Sequence, residues 1–121
     1  MATSLTSQTS PYVDKLFVDT QSNGTIIDNI LSGGATSYII DIDNSNNGSA
    51  VYTKLWNSVN ASIGTTEPNV IIKAPSNTRQ VVTVSEGFYF GTALSTATVT
   101  GKDTASTNSP TNDVTLRIMA E

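Results

Sequence analysis

Tyr38-Ile39-Ile40-Asp41-Ile42-Asp43-Asn44-Ser45-Asn46-Asn47-Gly48-Ser49-Ala50-Val51-Tyr52-Thr53-Lys54-Leu55-Trp56-Asn57 is the stretch on which the fold turns. Its first part alternates with period two. Tyr38, Ile40 and Ile42 point one way, and Ile39, Asp41 and Asp43 the other, as in a strand with one wet face. After the Asn/Ser/Gly run the alternation resumes, with Val51, Thr53 and Leu55 on one face and Tyr52, Lys54 and Trp56 on the other. Two such strands around a glycine-containing loop predict an antiparallel hairpin.

The flanking sequence follows the same pattern. Leu16, Phe17 and Val18 lie in a short strand over residues 15–19, and Asn23-Gly24 is a strong turn signal. Residues 25–31 are apolar but irregular and fit either a strand or a short helical turn, broken by Ser32-Gly33-Gly34. A longer connection, 58–68, leads to a strand at 70–74 closed by Pro75. Residues 79–85 form the next strand, Glu86-Gly87 punctuates, and Phe88-Tyr89-Phe90 follows. Residues 94–100 are extended, and 102–112 are a polar loop. The chain closes on 114–120, with Val114, Leu116 and Ile118 inward and Thr115, Arg117 and Met119 outward. About eight short strands and no amphipathic helix predict one all-β domain over 15–121. The architecture expected is an antiparallel β-sandwich, with a jelly roll among the arrangements that fit. Residues 1–14 read as an extended polar arm, with Pro11 and Tyr12 placed to anchor it on the body or on a neighbouring subunit.

Composition supports this and narrows the function. Thr, Ser and Asn supply 45 of the 121 residues; Thr favours strands, and Asn and Ser favour turns. Charged residues make up 13%, about half the usual share of roughly 25%. The net charge of −4 argues against nucleic acid as a partner, since phosphate binding needs clustered Lys and Arg. No apolar run reaches the length of a membrane helix. The polar start lacks the basic and apolar regions of a signal peptide, so synthesis and assembly in a cytoplasm are expected. The chain has neither Cys nor His, which excludes disulfides, thiol nucleophiles and imidazole bases.

Candidate sites are few. The run from Asp41 to Gly48 invites a calcium reading, but counting from Asp41 puts Asn46 where an EF-hand loop needs Gly and Tyr52 where it needs Glu. It reads as a strand end followed by a turn. Asn23-Gly24-Thr25, Asn47-Gly48-Ser49 and Asn60-Ala61-Ser62 match the glycosylation pattern, as a chain so rich in these residues will by chance. Glu67, Glu86 and Glu121 sit at turns or the terminus and are not paired across any groove, so no glycosidase couple is expected. Catalytic residues, metal ligands and cofactors are accordingly not expected. Tyr52 and Trp56 lie on one strand face, about 13 Å apart. They suit core or intersubunit packing, or a carbohydrate-binding face. In Phe88-Tyr89-Phe90 at least one ring must leave the core, and Tyr89 is a candidate contact.

Several of these segments form a familiar series. Val51-Tyr52-Thr53-Lys54-Leu55-Trp56-Asn57 leads to Ile63-Gly64-Thr65-Thr66-Glu67-Pro68, then to Val70-Ile71-Ile72-Lys73-Ala74-Pro75. Glu86-Gly87-Phe88-Tyr89-Phe90, Ala93-Leu94-Ser95-Thr96-Ala97 and Asn112-Asp113-Val114-Thr115-Leu116-Arg117-Ile118 follow. The order resembles small structural proteins of tailed bacteriophages over roughly residues 51–120. The resemblance implies a capsid decoration (cement) protein, a virion component that binds the outside of the major capsid protein shell. Such a protein would stabilise the shell, would sit as a homotrimer at three-fold positions, and would have no catalytic role. Two alternatives stand beside it: a tail, neck or fibre-associated virion protein, and a carbohydrate-binding sandwich module.

Overall fold

The computed structural model describes residues 13–121, and Pro11 and Tyr12, with most of the expected arm, lie outside them. Seven strands run in chain order as β1 (Lys15–Ser22), β2 (Ala35–Asn44), β3 (Val51–Asn57), β4 (Val70–Ala74), β5 (Thr78–Phe90), β6 (Leu94–Val99) and β7 (Val114–Ala120). They form a four-stranded sheet in the order β1-β7-β2-β5 and a three-stranded sheet in the order β4-β3-β6, with every pairing antiparallel. The protein is a β-sandwich.

An eighth segment is present in reduced form. Ile27 makes a single antiparallel bridge to Thr96 on β6. Around it, Thr98 N–H donates to Asn23 O and Ile30 N–H donates to Leu94 O. The irregular stretch 25–31 is thus a frayed strand along the outer edge of β6. Counted as the second of eight, it gives sheet orders 1-8-3-6 and 2-7-4-5, which is the arrangement of a jelly roll.

Two expectations are corrected. Glu86-Gly87 does not separate two strands. β5 runs through it for 13 residues, and the pairing with β2 shifts register between Thr83 and Phe88. Gly87 has φ 77°, and a Cβ there would lie 2.2 Å from Thr36 Cγ2. The glycine builds a bulge, and the strand continues beyond it. This merging, with the fraying of 25–31, brings the count to seven.

The expected hairpin across Asn44–Ala50 also does not form, because β2 and β3 belong to different sheets. The reason is Asn44, which is fully buried. Its Nδ2 donates to Ser49 O at 3.0 Å, Ala74 O at 3.2 Å and Pro75 O at 2.9 Å. Asn47 Nδ2 donates to Asn44 Oδ1 at 2.9 Å and to Asn112 O at 3.0 Å, and Asn112 N–H donates back to Asn47 Oδ1 at 2.8 Å. Three chain crossings between the sheets meet at this amide cluster, which fixes a corner where a two-stranded turn was expected.

Between the sheets lie Ile40 and Ile42 of β2, Leu116 and Ile118 of β7, Val51 and Leu55 of β3, and Phe90 of β5. The inner face of β7 is the one expected. A chain of hydroxyls also crosses the interior: Ser22 Oγ lies 2.7 Å from Thr98 Oγ1, which lies 2.9 Å from Thr53 Oγ1. Each of these three oxygens thereby has a partner, whereas the buried Ser37 Oγ and Thr96 Oγ1 have none among the described residues.

Asn44→Ala strands three carbonyls in the corner. The unfolding free energy should fall by roughly 2–4 kcal/mol, read by urea titration with an unchanged denaturant slope. A loss below about 1 kcal/mol would mean that water replaces the amide at little penalty.

Candidate functional site: the bare outer face of the four-stranded sheet

The two outer faces of the sandwich differ. Register places Tyr52, Lys54 and Trp56 of β3 beside Val99, Ala97 and Ser95 of β6 on the outside of the three-stranded sheet. That face is sealed by the chain's own connections. Trp56 is 1% exposed, and its Nε1 donates to Thr66 O at 2.9 Å within the 58–69 connection. Lys54 is 0% exposed, and its Nζ donates to Asp103 O at 2.6 Å and Ser106 O at 3.3 Å. The 100–113 connection is thus pinned over the sheet by an ammonium group. All six residues of β6 are buried.

Trp56 is therefore an interior residue of this chain and presents no ring to solvent. Tyr52 lies half-buried on the same face, so the two rings form no exposed platform for a sugar. Tyr89 behaves differently. Phe90 enters the core and Phe88 packs at its margin, while Tyr89 turns the other way and is 76% exposed.

The outside of the four-stranded sheet has no such cover among the described residues. Its side chains follow from register. Leu16 is opposite Met119, and Met119 opposite Ile39, giving one apolar row across three strands. The next row runs Val18, Arg117, Asp41, Val81. Leu16, Val18 and Val81 are each about half exposed. Tyr89, opposite Thr36, stands on the same side beyond the bulge. At the end nearest Leu16 and Met119 the face dips into a hollow of about 190 Å³ bounded also by Val13 and Asp14.

Arg117, Asp41, Asp43 and Arg79 place charge on two adjacent rows of this face. Arg79 Nε donates to Asp41 Oδ1 at 2.8 Å, and Arg79 Nη2 makes a second bond to Asp41 Oδ2. Asp43, in the row beyond, accepts from Ser45 N–H at 3.0 Å. Hydrogen bonding from Ser45 holds its carboxyl below the usual range, with Arg79 and Arg117 adding smaller effects. The Asp41–Gly48 run is thus occupied by an ion pair and a turn, and no group of three acidic side chains converges among the described residues.

Sequence reasoning placed candidate contacts at Tyr52, Trp56 and Tyr89 and missed Leu16, Val18 and Val81. The signal for these was adjacent apolar residues: Leu16-Phe17-Val18, Ile39-Ile40, Val81-Val82 and Ile118-Met119. A strand apolar in both phases needs cover on both faces. No protein-family model matches the chain, and comparison with curated proteins and with solved structures finds no match.

Lys54 gives the seal a pH signature. Burial pushes its ammonium below the ordinary lysine range, with the Asp103 charge opposing. The folded chain then releases this proton at lower pH than the unfolded chain does. Between the two pKa values the unfolded state holds more protons, so stability rises with pH. Unfolding free energies of the wild type and Lys54→Met, compared from neutral pH toward the ordinary lysine range, should diverge in favour of the wild type. A constant difference would contradict the assignment.

Proposed function

We propose that this chain is a capsid decoration protein of a tailed bacteriophage, seated on the outside of the major capsid protein shell through the bare face of its four-stranded sheet. The observation that carries the reading is the contrast between the two outer faces. Two connections seal the outer face of one sheet, while that of the other shows Leu16, Val18, Val81 and Tyr89 to solvent. Contiguous exposed apolar surface on a folded chain marks an interaction site. Half-exposed aliphatic side chains beside an exposed tyrosine and an ion pair form an apolar surface with a polar element, as protein interfaces do.

The bacteriophage part of the proposal comes from the series of segments between residues 51 and 120, and the jelly-roll order is compatible with it without deciding it. A decoration protein meets many identical sites, so modest affinity at each suffices when copies cluster. The trimer implied by the same resemblance would place three bare faces around each three-fold position. The carbohydrate alternative loses its main support, because Trp56 is enclosed.

Purified particles should carry the chain in hundreds of copies, and shells stripped of it should burst at lower temperature or milder osmotic shock. A few copies per particle would move it to the tail or neck. Leu16→Glu with Val18→Glu places two carboxylates on the proposed contact while leaving the core intact. The double variant should melt within a few degrees of the wild type. Its affinity for shells should fall roughly tenfold or more, since each lost apolar contact is worth about a kcal/mol or more. Unchanged shell binding would overturn the assignment of this face.

A further inference from the structure

The sandwich has four sheet edges, and three are guarded. β6 is covered by the frayed strand around Ile27, with backbone hydrogen bonds at Asn23, Ile27 and Ile30. β4 is five residues long, carries Lys73 and is closed by Pro75. β1 carries Lys15 and Asp19, shifts register before Ser22, and is tied to the 30–32 turn by Lys15 Nζ donating to Leu31 O at 3.0 Å. Short strands, charges, prolines and covering segments are the devices that keep edges from pairing with other chains.

β5 lacks them over most of its length. It is the longest of the described strands, at 13 residues, and among the described residues β2 is its only strand neighbour. From Gln80 to Ser85 it has no charge and no proline, and three of its six residues are valine. Among the described residues its far edge receives no backbone hydrogen bond. Arg79, at the start, is already neutralised by Asp41 of its own chain. The bulge lies at the other end, past Thr83.

We propose that this edge pairs with the same edge of a second copy, antiparallel and centred on Val81. The occupant follows from self-complementarity. About that centre Val81 meets Val81, Gln80 meets Val82, and Arg79 meets Thr83, so no like charges stand opposite each other. A centre at Gln80 would shorten the offset between the two Arg79 side chains from four residues to two and make these like charges diagonal neighbours. A centre at Val82 would carry the pairing into the bulge. Opposed residues share a face, so the two four-stranded sheets join as one of eight strands with both bare faces on the same side. A pairing this short buries less than a stable dimer needs, so it is weak and reversible in solution. The pairing is independent of the capsid reading. On a shell it would add two-fold links between copies, where avidity strengthens it.

The absence of cysteine makes the test direct. Val81→Cys puts one thiol at the centre of the proposed pairing, within reach of its symmetry mate. Thr83→Cys lies on the same edge and face, but its mate is displaced by four residues, about 13 Å. Leu16→Cys is as exposed on the opposite edge of the sheet. Under mild oxidation the Val81 variant should form disulfide dimers several-fold faster than either control. Sedimentation equilibrium of concentrated wild type should show a monomer–dimer association that Val81→Lys abolishes. Equal crosslinking at the three positions, faster linking at Thr83, or a wild type that stays monomeric at the highest concentration reached would each overturn the pairing. None of these results bears on whether the bare face binds shells, which the Leu16 and Val18 variants read separately.

Discussion

A three-stranded sheet with apolar residues in both phases must be covered on both faces, and that constraint organises this molecule. One face is met by the four-stranded sheet. The other is met by two connections, 58–69 and 100–113, which are long because they must reach across it, while 23–34 runs along the β6 edge. Trp56 and Lys54 fasten the first two through bonds to backbone oxygens of Thr66, Asp103 and Ser106. With these connections drawn to one side, no long loop among the described residues is left to cover the opposite sheet.

The fastening is almost entirely neutral. Asn44, Asn47 and Asn112 join three crossings, and Ser22, Thr53 and Thr98 bridge the sheets. Neutral hydrogen bonds of this kind are not weakened by salt screening, unlike surface ion pairs. The bias toward Thr, Ser and Asn therefore has a structural meaning beyond turns and wet strand faces. Thr53, Thr96 and Thr98 face the interior, and the asparagines bind carbonyls that the change of sheet leaves without partners.

Much of the fold was legible in the sequence because period-two alternation is a local signal. β7 reads directly, with Val114, Leu116 and Ile118 buried as alternation requires. The connection after Asn44 was not legible, because a hairpin and a change of sheet use the same turn residues. Only the distant carbonyls of Ala74 and Pro75 select between them. Gly87 was misleading for a similar reason: a glycine that ends a strand and one that builds a bulge look alike until the partner strand is known. For Trp56 the sequence leaves core packing, intersubunit packing and a carbohydrate-binding face open, because alternation puts it on the side of β3 opposite Val51 and Leu55 and carries no information about what covers that side.

The candidate site lay hidden in the same way. Leu16, Ile39, Val81 and Met119 each sit next to a core residue in sequence, so each could be taken as part of a thickly buried strand. Only strand order shows that Leu16, Met119 and Ile39 fall in one row while Val81 occupies the next. The surface is assembled from four strands that contribute one or two side chains apiece. A surface of that kind has little chemistry at any single position and derives its effect from area and rigidity. Each contributing residue is fixed from behind by a core neighbour, Phe17, Ile40, Val82 or Ile118, so the face is ordered in the free chain. Contact of the proposed kind would then demand little further loss of conformational freedom, which suits a weak, many-times-repeated docking surface.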